Sequence, residues 1–512
     1  MERVCQGFVL VHPRFFCHLF VCFAKIKYFC IANQIVYKMN RLISSLFIAF
    51  AATTAMAQAT VEEAYSRFYE NLPVDVQQVN VFDVPAHEMK LTDFGAVGDG
   101  KTINTEAFAR AISALTKQGG GTLIVPQGIF MTGPIALKDN IRLHLERGAI
   151  VMASEDKRLF LNKDPKARVR PLVSASKRRN IMITGEGCID GNGAQWRPVK
   201  RQKVSDVEWK QFLKMGGTVT DEGQLWFPFN LKHAENIADT PEAQENMRAD
   251  LLRLTDCENV VIEGITVQNS PRFHVHPVRC KNVVINGVTV RCPWNAQNGD
   301  AIDISNCQRV LIVNSIIDAG DDGICMKGGS GQQGLEDGPC EDVLITDNTV
   351  YHAHGGFVIG SDVSGGMNRI VARRCRFSDT DTGLRFKSGI GRGGKTENIF
   401  ISDIVMTDIT QQAIVFECTY VDRKYAVNTK EEGEIKTQGS FSPEFRDIHI
   451  SDVVCHNVPV AIKAVGLPDM KCVSDIHITN SHFTYSGKAC DIDPHCLLDI
   501  EQTTFTKLGS EL

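Results

Sequence analysis

From about residue 140 onward, apolar and polar residues alternate in short runs that are separated by Gly, Asn or Asp. Each repeat starts with a polar residue, continues as a strand rich in β-branched residues, turns, and ends in a second short strand. Clear copies of this repeat start at Asn259, Asn282 and Asn398, and weaker copies start at Asn180, Arg309, Asp342, Arg369, Asp447 and Asp475. From Asn259 onward, the first five steps are 23, 27, 33, 27 and 29 residues long.

A repeat of this size is the sequence signature of a solenoid. Alternation with a period of two places one face of each strand in the interior. The repeats contain no helical period, which argues against leucine-rich and helical solenoids. We therefore predict an all-β fold, a single-stranded parallel β-helix whose coils differ mainly in the length of their loops.

A capping helix is predicted before the first full coils, because an open sheet edge would favour aggregation. Apolar residues follow helical spacing within residues 105–118, and Asn104 or Thr105 is the expected N-cap. These apolar positions are Phe108, Ala111, Ile112 and Leu115. Three glycines at 119–121 end the helix, and residues 122–125 read as the next strand.

The repeat is interrupted at about residues 198–248, a charged stretch without the strand pattern. Insertions in solenoids emerge as loops, often beside the binding face. The aromatic residues of this segment are Trp209, Phe212, Trp226, Phe227 and Phe229. Two interpretations stay open for each of them: aromatic surface for sugar rings in the wall of a groove, or a small core of the insertion's own. For the segment as a whole we expect the wall.

The amino end reads as targeting sequence rather than as part of the fold. Residues 39–57 combine a short basic start, an apolar core and small residues before Gln58, which is typical of a signal peptide. The preceding residues, 1–38, fit no such pattern, and we interpret them as a start-site error with translation beginning at Met39. We expect a lead-in over 58–89, a catalytic β-helix over 90–512, and export to the bacterial periplasm or the medium.

Composition narrows the function classes. Apolar content of 43% and charged content of 22% describe a folded protein. The net charge of −5 gives no footprint for nucleic acid, so an acidic ligand needs a local basic site. Four of the 17 cysteines precede residue 39, and the odd remainder is scattered along the repeats. We therefore expect buried free thiols rather than a disulfide framework, and no membrane span in the mature chain.

Three aspartates are predicted to meet on one outer face. Asp300 and Asp321 are 21 residues apart, about one coil, and Asp322 follows directly. Cleavage of a glycosidic bond needs one protonated carboxyl for the leaving oxygen and one carboxylate that activates water or attacks. Crowding raises the proton affinity of one carboxyl, so a cluster can supply both forms. Stacked strands lie about 4.8 Å apart, and their side chains can diverge to the roughly 6.5–9.5 Å typical of inverting enzymes.

Basic residues follow on the next coils. His354 comes one coil after the aspartates, and Arg385 and Lys387 share one face of a later strand. A guanidinium fork with an ammonium beside it suits a substrate carboxylate, as in a uronic acid. Arg392 lies in a glycine-rich loop and extends the patch. His352 and His354 lack a further ligand set, so no metal is expected.

In this order the motifs Asn298-x-Asp300, Gly320-Asp321-Asp322, His354-Gly355 and Arg385-x-Lys387 resemble the four signatures of the polygalacturonases, glycoside hydrolase family 28. The segment Phe94-Gly-Ala-Val-Gly-Asp-Gly is also similar to that family's start, and the resemblance covers about residues 90–490. It implies a right-handed parallel β-helix and inverting hydrolysis without a metal or cofactor.

By this resemblance Asp321 matches the general acid, and Asp300 and Asp322 match the pair that activates water. His354 matches a residue that supports the acid. The residues that match binders of the galacturonate substrate are Arg385 and Lys387, and we add Asn298 and Arg392 as substrate-binding candidates. The wording of residues 296–300, 354–361 and 391–394 is similar to the bacterial exo-acting branch, in which inserts close one end of the groove.

The expected function is therefore that of an exported, monomeric, exo-acting polygalacturonase on polygalacturonate or pectin oligosaccharides. Two departures from the family pattern stand out: a loop at 328–339 lengthens the coil between Asp322 and His354, and Phe386 stands where isoleucine is common. The alternatives are a rhamnogalacturonan or xylogalacturonan hydrolase, a calcium-dependent pectate lyase, and a non-catalytic carbohydrate-binding β-helix.

Overall fold

The computed structural model describes residues 65–164, 167–220, 223–228, 246–420, 441–468 and 470–509. The chain divides into two compact units, Met1–Arg67 and Phe68–Leu512, and the strands of the described residues all belong to the second. The proposed leader and signal peptide lie outside the described residues. They stay predictions, as do the boundaries at 58–89 and 90–512.

Strands of successive coils pair in parallel and form three long sheets. The first sheet contains Glu88–Lys90, Gly121–Val125, Ile141–Leu145, Arg179–Gly185, Glu258–Glu263, Lys281–Asn286, Gln308–Val313, Cys340–Thr346, Met367–Ser378, Lys395–Thr407, Glu444–Phe445, Ile448–Val465, Ile476–Thr479 and Leu498–Glu501. The second contains Asp99–Ile103, Gly128–Thr132, Ala149–Ala153, Cys188–Asp190, Thr266–Gln268, Thr289–Arg291, Ile316–Asp318, Thr349–Tyr351, His482–Ile492 and Thr504–Lys507. The third contains Ile135–Ala136, Val173–Ser176, Leu252–Thr255, Val275–Val278, Ile302–Ser305, Asp322–Lys327, Gly355–Ser361, Thr382–Ser388 and Gln412–Glu417.

Four of these strands are long enough to turn a corner and take part in more than one sheet. Met367–Ser378 and Lys395–Thr407 run from the first sheet into the second. Ile448–Val465 passes through all three sheets, and His482–Ile492 joins the second to the third. The fold is a parallel β-helix, as the repeat predicts.

The interior is built from columns of aliphatic side chains. In the first sheet Val260, Val283, Val310, Val343 and Ile370 stand in register on five successive coils, and all are fully buried. The inward-facing apolar positions of each strand therefore continue from coil to coil as buried columns. Their burial stabilises the solenoid.

The polar residue that opens each repeat has a backbone explanation. Asn180, Asn259 and Asn282 have φ of 57°, 61° and 60°, and the weaker copies from Arg309 to Asp475 are also left-handed. Asn tolerates this conformation better than most residues. With Asn140 of the preceding coil, the three asparagines also form a ladder, in which the Nδ2 of each donates to the Oδ1 of the asparagine before it at 2.7–2.8 Å. The sequence repeat thus marks the corner before the first sheet.

The lead-in lies along this same corner. The backbone N of Gln77 donates to Asp342 Oδ1 at 3.3 Å, and that of Asn80 donates to Asn282 Oδ1 at 2.6 Å. Asp342 and Asn282 are two coils apart, about 10 Å, which matches three residues of extended chain. The lead-in therefore crosses the coils at a steep angle and is fixed by their side chains.

The expected capping helix is present as α1, Thr105–Lys117, with its predicted apolar face buried. Asn104 takes the N-cap position, but its side chain does not cap the helix. Instead its Oδ1 accepts from Val97 N at 2.7 Å, and its Nδ2 donates to three carbonyls, which ties the helix start to the adjoining loop and strand.

The insertion and the lengthened loop hold the other helices. In the insertion α2, Asp206–Lys214, accompanies an antiparallel sheet of Val199–Lys200, Thr218–Thr220 and Leu225–Phe227. The loop at 328–339 contains α3, Gly331–Asp337. Short 3-10 helices lie at Arg67–Tyr69, Leu91–Phe94, Lys157–Phe160, Gly193–Gln195 and Arg201–Lys203.

Two expectations about the chain's chemistry can be checked here. The thirteen cysteines of the described residues are free thiols, and eleven of them are buried, as expected for small core residues. Of the helices in the described ranges, none has the length and apolar character that a membrane crossing requires.

Candidate active site

Most of the predicted site residues converge on one edge of the third sheet. Asp300, Asp321 and His354 occupy the corners that lead into it, Asp322 opens a strand, and Arg385 and Lys387 lie on Thr382–Ser388. Backbone hydrogen bonds between coils fix this arrangement. Ala301 N donates to Asp322 O at 3.0 Å, and His354 N donates to Asp321 O at 2.8 Å. One oxygen from each of the three aspartates lies within 4.8 Å of the other two.

Gly320 allows the aspartates to approach the preceding coil. A Cβ at this position would lie 2.5 Å from Pro293 O and 2.9 Å from Ala296 Cβ. Any side chain there would push the corner outward and displace Asp321, which follows immediately. The glycine of the Gly320-Asp321-Asp322 motif is therefore a packing requirement of the corner.

Asp322 is held by the two predicted cations. Lys387 Nζ donates to Asp322 Oδ2 at 2.8 Å, and Arg385 Nη1 lies 3.6 Å from Oδ1. Burial acts to raise the pKa of Asp322, but Lys387 and Arg385 outweigh it, and the pKa is lowered despite the neighbouring charge of Asp321. Asp322 is therefore an ionised carboxylate.

Asp321 pairs with the predicted histidine. His354 Nδ1 lies 3.1 Å from Asp321 Oδ1. Burial acts to raise the pKa of Asp321, but His354, Lys203 and Lys387 together lower it well below its ordinary value. In the free protein this carboxylate also is ionised.

Asp300 has the opposite environment. Its side chain is buried, Oδ1 has no hydrogen-bond partner among the residues that the structure describes, and Lys327 Nζ lies 3.5 Å from Oδ2. Burial and the charges of Asp303 and Asp321 raise the pKa of Asp300 well above its ordinary value, although Lys327 acts against them. Asp303 is fully buried and lies 3.1 Å from the same lysine. Of the three clustered carboxyls, Asp300 therefore keeps its proton to the highest pH.

Crowded carboxyls thus differ in proton affinity, as expected, and the spacing between them is short. Their nearest oxygens lie within 4.8 Å, below the roughly 6.5–9.5 Å expected for an inverting pair. Because the nearest oxygens give the lower limit of a carboxyl separation, the stereochemical outcome stays a prediction.

The comparisons with known proteins agree with this geometry. The family model described as glycosyl hydrolases family 28 matches residues 203–490. The chain belongs to family 28 of the glycosyl hydrolases. It is therefore a glycoside hydrolase of the polygalacturonase type, and the family predicted from the four motifs is confirmed.

Some of the proteins that are similar to this chain are exo-acting enzymes. An exo-poly-α-D-galacturonosidase of Dickeya chrysanthemi is 27% identical over 438 residues, 82% of this chain and 70% of that one. A probable polygalacturonase of Vitis vinifera is 29% identical over 77% of this chain and 74% of its own. The crystal structure of an exopolygalacturonase from Thermotoga maritima, 29% identical, superposes with a TM-score of 0.64 over 85% of this chain and 96% of its own. The expected right-handed parallel β-helix is confirmed.

In this family 28 hydrolase the described aromatic residues of the insertion follow the second interpretation left open by the sequence, a small core of the insertion's own. Trp209 and Trp226 form a separate core with Val199 and Val204, against which Phe212 packs. These aromatics therefore stabilise the insertion itself, and Phe227 is buried as well. Phe229 lies outside the described residues. The wall remains a prediction, and one contact favours it: Lys203 of the insertion reaches the corner of Asp321.

Two predicted substrate-binding residues lie outside the carboxylate cluster. Asn298 Oδ1 accepts a hydrogen bond from Arg248 Nη2 at 2.8 Å. Arg392 Nη1 donates to Ser361 Oγ at 2.9 Å and lies 3.7 Å from Asp362. Both side chains thus have protein partners, and their contact with substrate stays a prediction.

Sequence reasoning missed four side chains of the site. Asp303 and Lys327 lie on strands of the third sheet. Met326, which precedes Lys327, stands in register with Ile359 and then Phe386, which precedes Lys387, so coil register could have found Lys327. The ring of Tyr420 lies 5.3 Å from Lys387 Nζ and 5.9 Å from the Arg385 guanidinium. No repeat signal marks Tyr420 or the insertion residue Lys203.

The donor set does not suit a metal ion. Asp300 faces Lys327, and Asp322 faces Lys387 and Arg385, so a metal ion would enter beside fixed positive charges. The two histidines considered in the sequence are bound separately: His352 Nδ1 lies 3.1 Å from Asp318, and His354 Nδ1 lies 3.1 Å from Asp321.

Proposed function

We propose that this chain is an exported exo-polygalacturonase that hydrolyses α-1,4-linked galacturonic acid with inversion. The observation that carries the proposal is a trio of aspartates beside a cationic pair, on the outer face of a family 28 β-helix. The aspartates can cleave a glycosidic bond, and the cationic pair can recognise the carboxylate that distinguishes a uronic acid from a neutral sugar.

Arg385 is the better placed of the two cations for a substrate carboxylate. Lys387 is nearly buried and donates to Asp322 at 2.8 Å, whereas Arg385 is more exposed and lies 3.6 Å from the same residue. The loosely paired guanidinium can turn its fork to a carboxylate of the substrate. Lys387 then serves mainly to keep Asp322 ionised.

In the proposed reaction Asp321 gives its proton to the glycosidic oxygen. A water molecule attacks the anomeric carbon from the opposite side and loses a proton to the pair Asp300 and Asp322. The bond to the leaving sugar breaks as the bond to water forms. After the reaction Asp321 has lost a proton, and the pair Asp300 and Asp322 has gained one.

In the free site the proton is held by Asp300 rather than by Asp321, so catalysis requires one further step. Asp300 retains a proton most strongly, and Asp321 is ionised because of the positive charges around it. A substrate carboxylate bound at Arg385 and Lys387 weakens that positive field and so raises the proton affinity of Asp321. The trio is close enough for one water molecule to relay the proton from Asp300 to Asp321.

Exo action is proposed from the insertion. It leaves the β-helix before the coil of Asp300, and Lys203 contacts Gly320 O at 3.1 Å. The insertion therefore extends along the edge of the groove and can close one end, which restricts cleavage to chain ends. The exo-acting relatives support the same proposal.

Early product analysis tests the function. With polygalacturonate we expect galacturonate monomer or dimer from the first time points, and proton NMR should show the β-anomer appearing first. A ladder of oligomers would contradict exo action, and an initial α-anomer would contradict inversion. Faster turnover of rhamnogalacturonan or xylogalacturonan would favour those substrates.

Membership in family 28 argues against two alternatives, a pectate lyase and a non-catalytic binding protein. The same product assay tests both of them. A pectate lyase would need calcium and would form an unsaturated, ultraviolet-absorbing product. A non-catalytic binding protein would release no reducing ends. Chelator should leave the rate unchanged, and the product should lack the chromophore.

Export to the periplasm or medium is proposed from residues 39–57. Amino-terminal sequencing of the protein secreted by a bacterial host is expected to begin at Gln58. Retention of the uncleaved chain inside the cell would contradict this part of the proposal.

A further inference from the structure

Lys203 reaches the catalytic corner from outside the β-helix. It ends the short 3-10 helix Arg201–Lys203 of the insertion. Its Nζ lies 3.3 Å from His354 Nε2 and donates to Gly320 O at 3.1 Å. The corner that holds the insertion is four coils before that of His354, about 19 Å at the usual strand spacing. The insertion therefore crosses four coils to bring this ammonium to the imidazole.

The chemistry of the two groups fixes the position of the imidazole proton. An ammonium offers only hydrogens, so His354 Nε2 must accept from Lys203 through its lone pair. A neutral imidazole then carries its hydrogen on Nδ1, which lies 3.1 Å from Asp321 Oδ1. The lysine and the aspartate thus specify the same tautomer from opposite sides of the ring.

A second carboxylate competes for the same nitrogen. Asp381 Oδ2 lies 3.8 Å from His354 Nε2, beyond hydrogen-bond distance, and its Oδ1 accepts from Thr410 Oγ1 at 2.8 Å. Without Lys203 the imidazole would lie between two carboxylates, Asp321 and Asp381. The hydrogen is then free to lie on Nε2, on the side of Asp381, instead of on Nδ1.

We propose that Lys203 is a positioning residue that makes Nε2 of His354 a hydrogen-bond acceptor and so leaves the ring hydrogen on Nδ1, directed at Asp321. The charged groups around this unit are Asp321 and Asp381 on the ring, Lys203 at Nε2, and Arg385 and Lys387 beyond Asp321. With its hydrogen on Nδ1, the ring supports Asp321 by a hydrogen bond. The consequence for catalysis rests on the proposed function, whereas the tautomer does not.

Nitrogen-15 NMR of histidine-labelled protein tests the tautomer directly, with the signal assigned by its loss in His354→Gln. In the wild type we expect a protonated Nδ1 and an unprotonated Nε2 at neutral pH. In Lys203→Met we expect the hydrogen to move from Nδ1 to Nε2. An Nε2–H tautomer in the wild type, or an unchanged ring in Lys203→Met, would overturn the proposal.

Two matched variants separate this role from folding. Lys203→Arg keeps a cationic donor and should keep the wild-type tautomer. Lys214→Met removes the same charge from an exposed position of the same insertion and should change neither the ring nor the activity. If Lys214→Met reproduced the effect of Lys203→Met, charge at a distance would explain it and the direct contact would be rejected.

The split between kcat and KM provides a second measurement. In Lys203→Met kcat should fall about tenfold, because the hydrogen bond from Nδ1 to Asp321 is lost, while KM should change little and Lys203→Arg should keep the wild-type kcat. A fall confined to KM, or an equal loss of kcat in Lys203→Arg, would mean a merely structural role and would overturn the proposal. A chain with no polygalacturonate activity but the expected NMR response would reject the proposed function and leave the tautomer assignment intact.

Discussion

The coils of the β-helix and the insertion that emerges from them supply the same site by different means. The coils bring Asp300, Asp321 and His354 together through backbone hydrogen bonds of 2.8–3.0 Å between neighbouring corners. The insertion brings Lys203 to the same corner on a small core of its own, built around Trp209 and Trp226. The residues proposed for catalysis thus lie on the repeated part of the molecule, and the residue proposed to position His354 lies on the part that breaks the repeat.

This difference has a physical cause. A side chain on a coil is fixed by the ladder above and below it, so its position can shift only with several strands. A side chain on an insertion depends on local packing, and that packing can change without disturbing the β-helix. Variants in the two regions should therefore fail in different ways.

The largest effect is expected on the coil side. Asp321→Asn removes the proposed proton donor but keeps the shape of the corner, so kcat should fall by several orders of magnitude, with folding unchanged. Release of reducing ends from polygalacturonate at saturating substrate measures this loss. Asp347→Asn is the matched control, because Asp347 pairs with Arg374 on another corner; its kcat should stay near that of the wild type. Near-normal turnover of Asp321→Asn would reject the assigned role.

The same contrast explains what the sequence could predict. The repeat predicted the β-helix because strand period, left-handed corner residues and coil length all specify the same geometry. It also predicted that Asp300, Asp321 and Asp322 meet, since one coil of sequence is one step of about 4.8 Å in space. Lys387 on Asp322 and His354 beside Asp321 follow from the same register.

Other features were beyond the reach of that reasoning. Lys203 belongs to a segment without a repeat, so no register relates it to His354. The unequal proton affinities of the aspartates depend on burial and on Lys327 and Asp303, which act together only once the strands are packed. The capping of α1 was also beyond that reasoning. Asn104 lies at the expected N-cap position, but its side chain donates to carbonyls of residues before the helix rather than capping the helix.

An intermediate effect is expected from the core of the insertion. Trp226→Ala removes the largest side chain shared by the small sheet and α2, a change that costs about 3–5 kcal/mol where a buried Trp is truncated. We expect loss of the insertion's structure, a fall of about tenfold in kcat because Lys203 is released, and longer oligomers among the early products. The thermal transition of the β-helix should be retained.

Chromatography and calorimetry on the same sample distinguish the two regions. A variant that unfolds as a whole would show that the insertion does not fold independently of the β-helix. Unchanged products together with unchanged kcat would remove the insertion from the site. Val207→Ala is the matched control, since Val207 is exposed on α2 and lies outside the small core.

The smallest effect is expected within the coils, as a shift in pH dependence rather than a loss of rate. In the proposed mechanism the proton that Asp321 donates rests on Asp300 in the free site, so kcat/KM should fall as the pH rises through the raised pKa of Asp300. Asp303→Asn removes a neighbouring negative charge that helps to raise the pKa of Asp300. The basic limb of kcat/KM should therefore move to lower pH.

Lys327→Met should shift the pH profile of kcat/KM in the opposite direction. Its ammonium lies 3.5 Å from Asp300 Oδ2 and lowers the pKa of that carboxyl, so its loss should move the same limb to higher pH. Profiles of kcat/KM for the two variants, measured on one substrate and buffer series, should therefore diverge from the wild type in opposite directions. Shifts in the same direction would mean that Asp303 and Lys327 act on the fold of the corner and not through the charge at Asp300.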